Sequence, residues 1–337
     1  MTTNPSPDPV RHVLSEAMGY VYAAAMRAAV ELEIAERLAD GPRLPEELAA
    51  DAGADAPSLA RLLRFLATRG VFREDAEGRF HLTPYADPLR ADAPRSIRTG
   101  VLAVTAEVFW TSSRDLGEAV RSGEPAFDRR YGRPFFDFLA ANPDEGAMFN
   151  DGMANLSAIE VDDIVASYDL PTTGTVVDVG GGQGGLLLAA LRARPGLTGI
   201  LFDRPEVLPG NVLAGLGEAR YDLVAGDFFE SVPGGDLYLL KNVLHDWSDE
   251  QCVRILENCR RAMRPGGRVL ALDAVIEPDN QPHFGKTTDM FMMLLVPGRE
   301  RGRREFEDLF DRAGLRVTRV LPTPSAVAVV EAVAAAS

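Results

Sequence analysis

Thr175-Val176-Val177-Asp178-Val179-Gly180-Gly181-Gly182-Gln183-Gly184-Gly185 is the stretch that decides the fold. Thr175 to Val179 is rich in β-branched residues, and Leu186 to Ala193 (LLLAALRA) is rich in good helix formers, so the glycines fall on a strand-to-helix turn. Glycine at such a turn removes the Cβ atoms that would hold a ligand away from the strand ends. Taken alone the stretch satisfies G-x-G-x-x-G, which a dinucleotide site also uses, and a plain packing turn is the bland alternative.

Downstream, apolar strand-like runs alternate with helical ones: TGILFD, YDLVAGD, DLYLLKN, RVLALDA, LRVTRVL and AVAVVEAV. With TVVDV these make a mostly parallel sheet covered by helices on both sides. Asp203 closes the second strand and suits ribose hydroxyls. Asp227, in GDFFE after the third, adds an acceptor for an adenine amino group, with the ring of Phe228 beside it. A dinucleotide enzyme has no clear need of that third carboxylate. The order Asp178-x-Gly180-x-Gly182, then Asp203, then Asp227 resembles the class I methyltransferase pattern, which implies S-adenosylmethionine as cofactor and S-adenosylhomocysteine as product.

The fourth strand ends in LLKNVLHDWSDEQC, placing Lys241 and His245 at the rim where ligands of open α/β sheets bind. Asp273, in the otherwise apolar RVLALDAVIEP, and Glu300, in VPGRERGRREFEDLF, are polar residues that can converge on the same rim. A buried carboxylate without a partner is costly, so Asp273 is expected to have a hydrogen-bonding neighbour. A phenol, with a pKa near ~10, is a poor nucleophile at neutral pH, and a histidine near ~6.5 can take its proton as methyl transfer proceeds. His245 is then the base, with Asp273 or Glu300 holding its tautomer.

Before residue 155 the pattern is helical. Arg11 to Leu38 is apolar on more than one face of a helical pattern and requires burial against other elements or a second subunit. Leu44 to Thr83 reads as helix, turn at Gly53, a second helix with Leu59, Leu62, Leu63 and Leu66 on one side, and a hairpin, a winged-helix pattern. Pro134 and Pro143 suit helix starts. The change of character near residues 155–170 divides the chain into 1–160 and 161–337.

The formal charge of −15 weighs against nucleic acid or membrane as partner and favours a weakly charged small molecule. The start of the chain has no basic, apolar leader, and no run reaches the ~18 apolar residues of a span, so a cytoplasmic protein is expected. Cys252 and Cys259 read as buried thiols. No metal is expected.

Together these motifs, with AAVELEIAERLADGP, YGRPFFDFLAANPDEGAMFNDGM, FDRPEV and GRERGRREFEDLF, resemble the plant-type small-molecule O-methyltransferases and their bacterial natural-product relatives over nearly the whole chain. The resemblance implies a C-terminal, Rossmann-like, seven-stranded class I methyltransferase domain and an N-terminal, mostly α-helical winged-helix dimerisation domain. It implies a homodimer and a small aromatic or polyketide-like acceptor. His245 matches the base, flanked by Asp273 and Glu300; plant members usually carry Glu at the position of Asp273. Gly180, Asp203, Asp227, Phe228 and Lys241 match the cofactor site, joined here by Asp178 and Gly182, and Ser157 matches a contact to the cofactor carboxylate. Asp289, Met290 and Met293 fall on a helix beside the acceptor, and Trp110, Phe149, Asn150 and Met153 are further candidates for its wall, with ordinary core packing as the alternative. Arg299, Arg301, Arg303 and Arg304 read as a solvated or ion-paired face, and His283 as exposed. Two rival functions remain: C- or N-methylation or a non-methylating relative of the same fold, and a winged-helix DNA-binding regulator. The second is disfavoured by five arginines against seven acidic residues from Leu44 to His81.

Overall fold

The structure is a computed structural model that describes residues 8–335; most of the Pro-rich start lies outside them. The chain divides into two compact units, up to Ala106 and from Glu107 onward.

The first unit carries α1 (Pro9–Ala17), α2 (Gly19–Glu31), α3 (Ile34–Arg37), α4 (Pro45–Ala52), α5 (Ala56–Ala67), the strands β1 (Phe72–Glu74) and β2 (Phe80–Leu82), and α6 (Arg98–Val104). The Arg11–Leu38 helical pattern is thus three helices, interrupted at Met18 and at Glu33, whose φ of 53° is left-handed. Gly53 ends α4 with φ 64°, and Asp55 caps α5 through its side chain. Leu59, Leu63 and Leu66 of α5 are buried with Ile34, Leu48, Phe72 and Phe80; Leu62 is partly buried against them. β1 and β2 pair antiparallel, as the hairpin reading requires.

The second unit begins with α7 (Glu107–Ser113), α8 (Leu116–Ser122), α9 (Ala126–Tyr131), α10 (Phe135–Ala141) and α11 (Pro143–Ser167). It continues with β3 (Gly174–Val179), α12 (Gly185–Ala193), β4 (Leu197–Asp203), β5 (Tyr221–Ala225), β6 (Gly235–Lys241), α13 (Asp249–Ala262), β7 (Met263–Ala274), α14 (Phe284–Leu295), α15 (Arg303–Arg312), β8 (Leu315–Pro322) and β9 (Val327–Ala334). Residues 107–160, which the sequence pattern groups with the N-terminal part, fall in this unit because α7, α8 and α9 pack on α14 and α11 packs on α12.

All seven expected strands form one sheet, ordered β5-β4-β3-β6-β7-β9-β8. The first five run parallel; β9 is antiparallel to both its neighbours. Alternation along each strand splits the core. Val177, Val179, Tyr238 and Leu240 face α13 and α15, while Val176, Leu237 and Leu239 face α11 and α12. Each such fully buried aliphatic side chain contributes roughly 1.5–3 kcal/mol. Strand order reverses between β3 and β6, the switch point at which open α/β sheets bind ligands. Among the described residues no helix is long and apolar enough to cross a membrane.

Candidate active site

The glycine turn after β3 has φ of 65° at Gly180, 57° at Gly182 and 81° at Gly184, a region that other residues rarely adopt. A Cβ on Gly182 would project into open space, and one on Gly180 would come within 3.5 Å of the Phe228 ring. The turn is therefore open at Gly182, where a side chain would fill the space beside it, and tightly packed at Gly180, Gly181 and Gly184. Asp203, at the end of β4, accepts hydrogen bonds from the backbone N–H of Gly182 at 2.8 Å and of Arg204 at 2.7 Å, which aims its carboxylate at the turn. Asp178 is buried, and no side chain hydrogen-bonds to its carboxylate. Burial, and secondarily the Asp203 carboxylate, push its pKa up to about 7. Asp227 is exposed and accepts from the N–H of Phe229 at 2.7 Å. Trp247 stands edge-on to Phe228 and Phe229 and stacks on Phe136 of α10 at 5.6 Å, closing an aromatic wall beside Asp227. Lys241 directs its ammonium to Glu160 of α11 at 2.7 Å, both side chains being largely buried. Ser157 lies three residues before Glu160, on the same helix. This set of glycine backbone, acidic strand ends and aromatic wall fits an adenosyl cofactor.

His245 sits in the turn between β6 and α13. That turn is held from the far side by α13, whose Ser248 cap and Gln251 exchange hydrogen bonds with each other's backbone; such a cap contributes about 1 kcal/mol. The Nδ1 of His245 is 3.0 Å from Glu300 Oε1, and its Nε2 is 3.6 Å from Asp246 Oδ1. Glu300, 4% exposed, also accepts from Thr288 Oγ1 at 2.7 Å, and its own N–H donates to Asp289 at 2.8 Å. The expected His245–Glu300 pair is thus in contact, and Asp289 braces the loop that carries Glu300.

Asp273 is fully buried in β7, but neither of its oxygens has a hydrogen-bond partner, contrary to the expectation of a neighbouring donor. Burial pushes its pKa up to about 7. Burial alone would lower the pKa of His245. The carboxylates of Asp246, Glu300 and Asp273 outweigh it and carry the imidazole up to about 10. Asp246 is itself pushed up to about 6, chiefly by burial. The turn therefore stabilises an imidazolium with both ring N–H groups facing carboxylates.

A pH dependence follows. If His245 serves as a base it must be neutral to do so, and kcat/KM is then expected to climb along a limb lying above the ordinary histidine value of about 6.5. Removing the carboxylate beside Nε2 with Asp246→Asn moves that limb to lower pH by about one unit or more. A pH–rate profile on a single acceptor checks this; a limb at the wild-type position contradicts it.

The wall candidates lie on three helices. Trp110 is on α7, half-buried, beside Phe109, which meets Phe291 of α14 edge-on at 5.6 Å. Phe149, Asn150 and Met153 are half-buried on α11, with Phe149 edge-on to Phe135. On α14, Met293 is half-buried and Met290 exposed. His283 is half-buried rather than exposed, accepting the N–H of Gly285 at the start of α14. Cys252 and Cys259 are buried free thiols.

Sequence reading missed two members of the site. Asp246 was visible in the His245-Asp246-Trp247 triplet. Arg301 gave no signal apart from its place after Glu300, because an arginine among arginines reads as surface. Arg299 and Arg303 do pair at the surface, with Asp249 and Glu307. Arg301, by contrast, is 1% exposed.

A seven-stranded sheet of this order with an acidic, glycine-lined cradle at its switch point is the class I methyltransferase architecture. Residues 113–316 match the O-methyltransferase domain and residues 14–91 the O-methyltransferase dimerisation domain, so the chain belongs to the O-methyltransferase family. It is 41% identical to the phenazine O-methyltransferase PhzM of Lysobacter antibioticus, over 93% of each chain. The structure of CalO1, a methyltransferase in calicheamicin biosynthesis with bound S-adenosylhomocysteine, superposes with a TM-score of 0.88 at 44% identity, covering 97% of this chain and 99% of that one. The O-methyltransferase NcsB1 from neocarzinostatin biosynthesis, in complex with S-adenosylmethionine and 2-hydroxy-5-methyl naphthoic acid, gives a TM-score of 0.76 at 35% identity, covering 93% and 96%.

Proposed function

We propose that this S-adenosylmethionine-dependent O-methyltransferase methylates a phenolic hydroxyl of a small aromatic natural product, with His245 as the base. The observation that carries the reading is the 3.0 Å contact of His245 Nδ1 with the buried Glu300 carboxylate at the carboxyl end of the sheet. Gly180, Gly182, Asp203, Asp227 and Phe228 hold the cofactor, with Asp178, Lys241 and Ser157 around its amino-acid end. When bound, the cofactor supplies a methyl group on a sulfonium, an electrophile that needs an oxygen stripped of its proton.

Glu300 accepts from Nδ1–H and so leaves Nε2 to take the hydroxyl proton; Asp246 and Asp273 stabilise the charge that results. The same carboxylates favour the imidazolium over the neutral ring. Positive charge brought in by a ligand opposes the imidazolium and lowers its pKa toward a useful value. The residues of α7, α11 and α14 named above form the acceptor wall, and their aromatic and methionine character suits a flat ring.

A homodimer is part of this reading. In α1 no residue is buried, and Val10, Val13, Leu14, Met18, Tyr20 and Val21 present exposed apolar surface that overlaps the dimerisation match. The buried thiols suit a reducing, cytoplasmic setting.

Purified protein incubated with methyl-labelled S-adenosylmethionine and a panel of phenols, naphthols and hydroxynaphthoates tests the reading. Label in an alkali-stable methyl ether is the expected result. Label in an N- or C-methyl product, or none with any hydroxylated acceptor while the cofactor still binds, would overturn it.

A further inference from the structure

Arg301 is the largest side chain buried below 2% exposure in the described residues, and nothing in the proposed chemistry uses it. A buried guanidinium is costly unless its donors are satisfied, so the places where they end show what it holds. Nη1 donates to the Leu244 carbonyl at 2.7 Å and Nη2 to the Trp247 carbonyl at 2.8 Å. These two carbonyls bracket His245 and Asp246. Nε and Nη2 also donate to Asp249 Oδ1, at 3.0 and 2.8 Å, at the first turn of α13. The backbone of Arg301 continues from Glu300 and bridges to Val275, and its carbonyl accepts the N–H of Ile276, three residues past Asp273.

The same loop approaches the histidine turn a second time. A Cβ on Gly298 would overlap the carbonyl oxygen of His245 and the Asp246–Trp247 peptide, so the backbones are in direct contact there. One five-residue segment, Pro297–Arg301, thus presses on the turn with Gly298, grips its two ends with Arg301 and offers Glu300 to the imidazole between them.

We infer that Arg301 is a positioning residue for methyl transfer: by gripping the carbonyls on either side of His245–Asp246, it sets the register in which Nδ1 meets Glu300. The inference rests on His245 acting as the base, but the clamp has a readout of its own. The chain has four histidines, so the ring signals of His245 can be assigned in ¹⁵N-histidine-labelled protein by their loss in His245→Ala. In the cofactor-free wild type the Nδ1 proton donated to Glu300 is expected far downfield.

Arg301→Met is expected to lose that signal and at least tenfold in kcat, with the Kd for S-adenosylmethionine within threefold of wild type. Arg301→Lys, which keeps the charge and some donors, falls between. Should Arg301→Met fail to fold, Asp249→Asn removes the carboxylate that anchors the guanidinium and gives the same two effects in milder form. An unchanged downfield proton with kcat within twofold overturns the inference. So does a loss of kcat matched by an equal loss of cofactor affinity, which marks a general structural role. If His245→Ala leaves transfer intact, the base assignment fails, and the downfield proton in the Arg301 variants still decides the clamp.

Discussion

Replacing His245 with alanine lowers kcat by about 10² to 10⁴, the range a positioned base contributes, and leaves folding and cofactor affinity near wild type. The side chain is 14% exposed and makes its polar contacts with Glu300 and Asp246, not with the glycine cradle. On the proposed role, its loss removes a proton acceptor without opening the core of the sheet. It also leaves carboxylates that had been balanced by an imidazolium, so a modest change in stability is expected near neutral pH. The sign follows from the raised pKa. The raised imidazole pKa contributes stability that is present below the ordinary histidine value of about 6.5 and disappears as pH rises through about 10, while the pairing with Asp246 is itself lost as pH falls below about 6, where that carboxyl protonates. Steady-state kinetics with isothermal titration of S-adenosylmethionine checks both halves. A parallel loss of kcat and cofactor binding would mean that the residue is structural.

Gly298→Ala has the second large effect, and it reaches the same atoms from the other side. The added methyl has no room, because it would land on the His245 carbonyl and the following peptide, and backbone yields far less readily than the end of a flexible side chain. Overpacking of this kind costs about 1–3 kcal/mol. The chain can relieve it only by moving the loop or the histidine turn, and a displacement of about 1 Å between reacting groups costs on the order of 10² in rate. Tm is expected to fall by several degrees and kcat by about 10² in the protein that remains folded. A variant with both values at wild-type levels would show that the loop does not press on the turn. Arg304→Ala, exposed on α15 and outside this segment, is the control and should be silent.

Much of this was legible in the residues. TVVDV and the six later runs specify strands by their length and apolar content, and all seven pair in one sheet. The motif LLKNVLHDWSDEQC contains both a strand end and a capped helix start, so it places His245 on the rim without further help. Other features were not legible, because they depend on which distant partner a side chain meets. The pattern of Arg11–Leu38 shows apolar faces but not the break at Glu33. The helices from Glu107 to Ser167 look like a continuation of the N-terminal ones, and only their packing on α12 and α14 assigns them to the sheet unit. Lys241 could have met a ligand carboxylate as easily as Glu160. The general rule that buried charge is paired predicts a donor for Asp273, and the structure leaves it without one.

The most direct measurement takes one methylated acceptor, varies its hydroxyl acidity with ring fluoro and nitro substituents, and compares transfer by wild type and His245→Ala across the series. If His245 removes the proton, the wild-type advantage is about 10² or more for weakly acidic phenols and shrinks steadily for those already ionised at the assay pH. A ratio that stays constant across the series would contradict the account, because His245 would then be contributing something other than basicity.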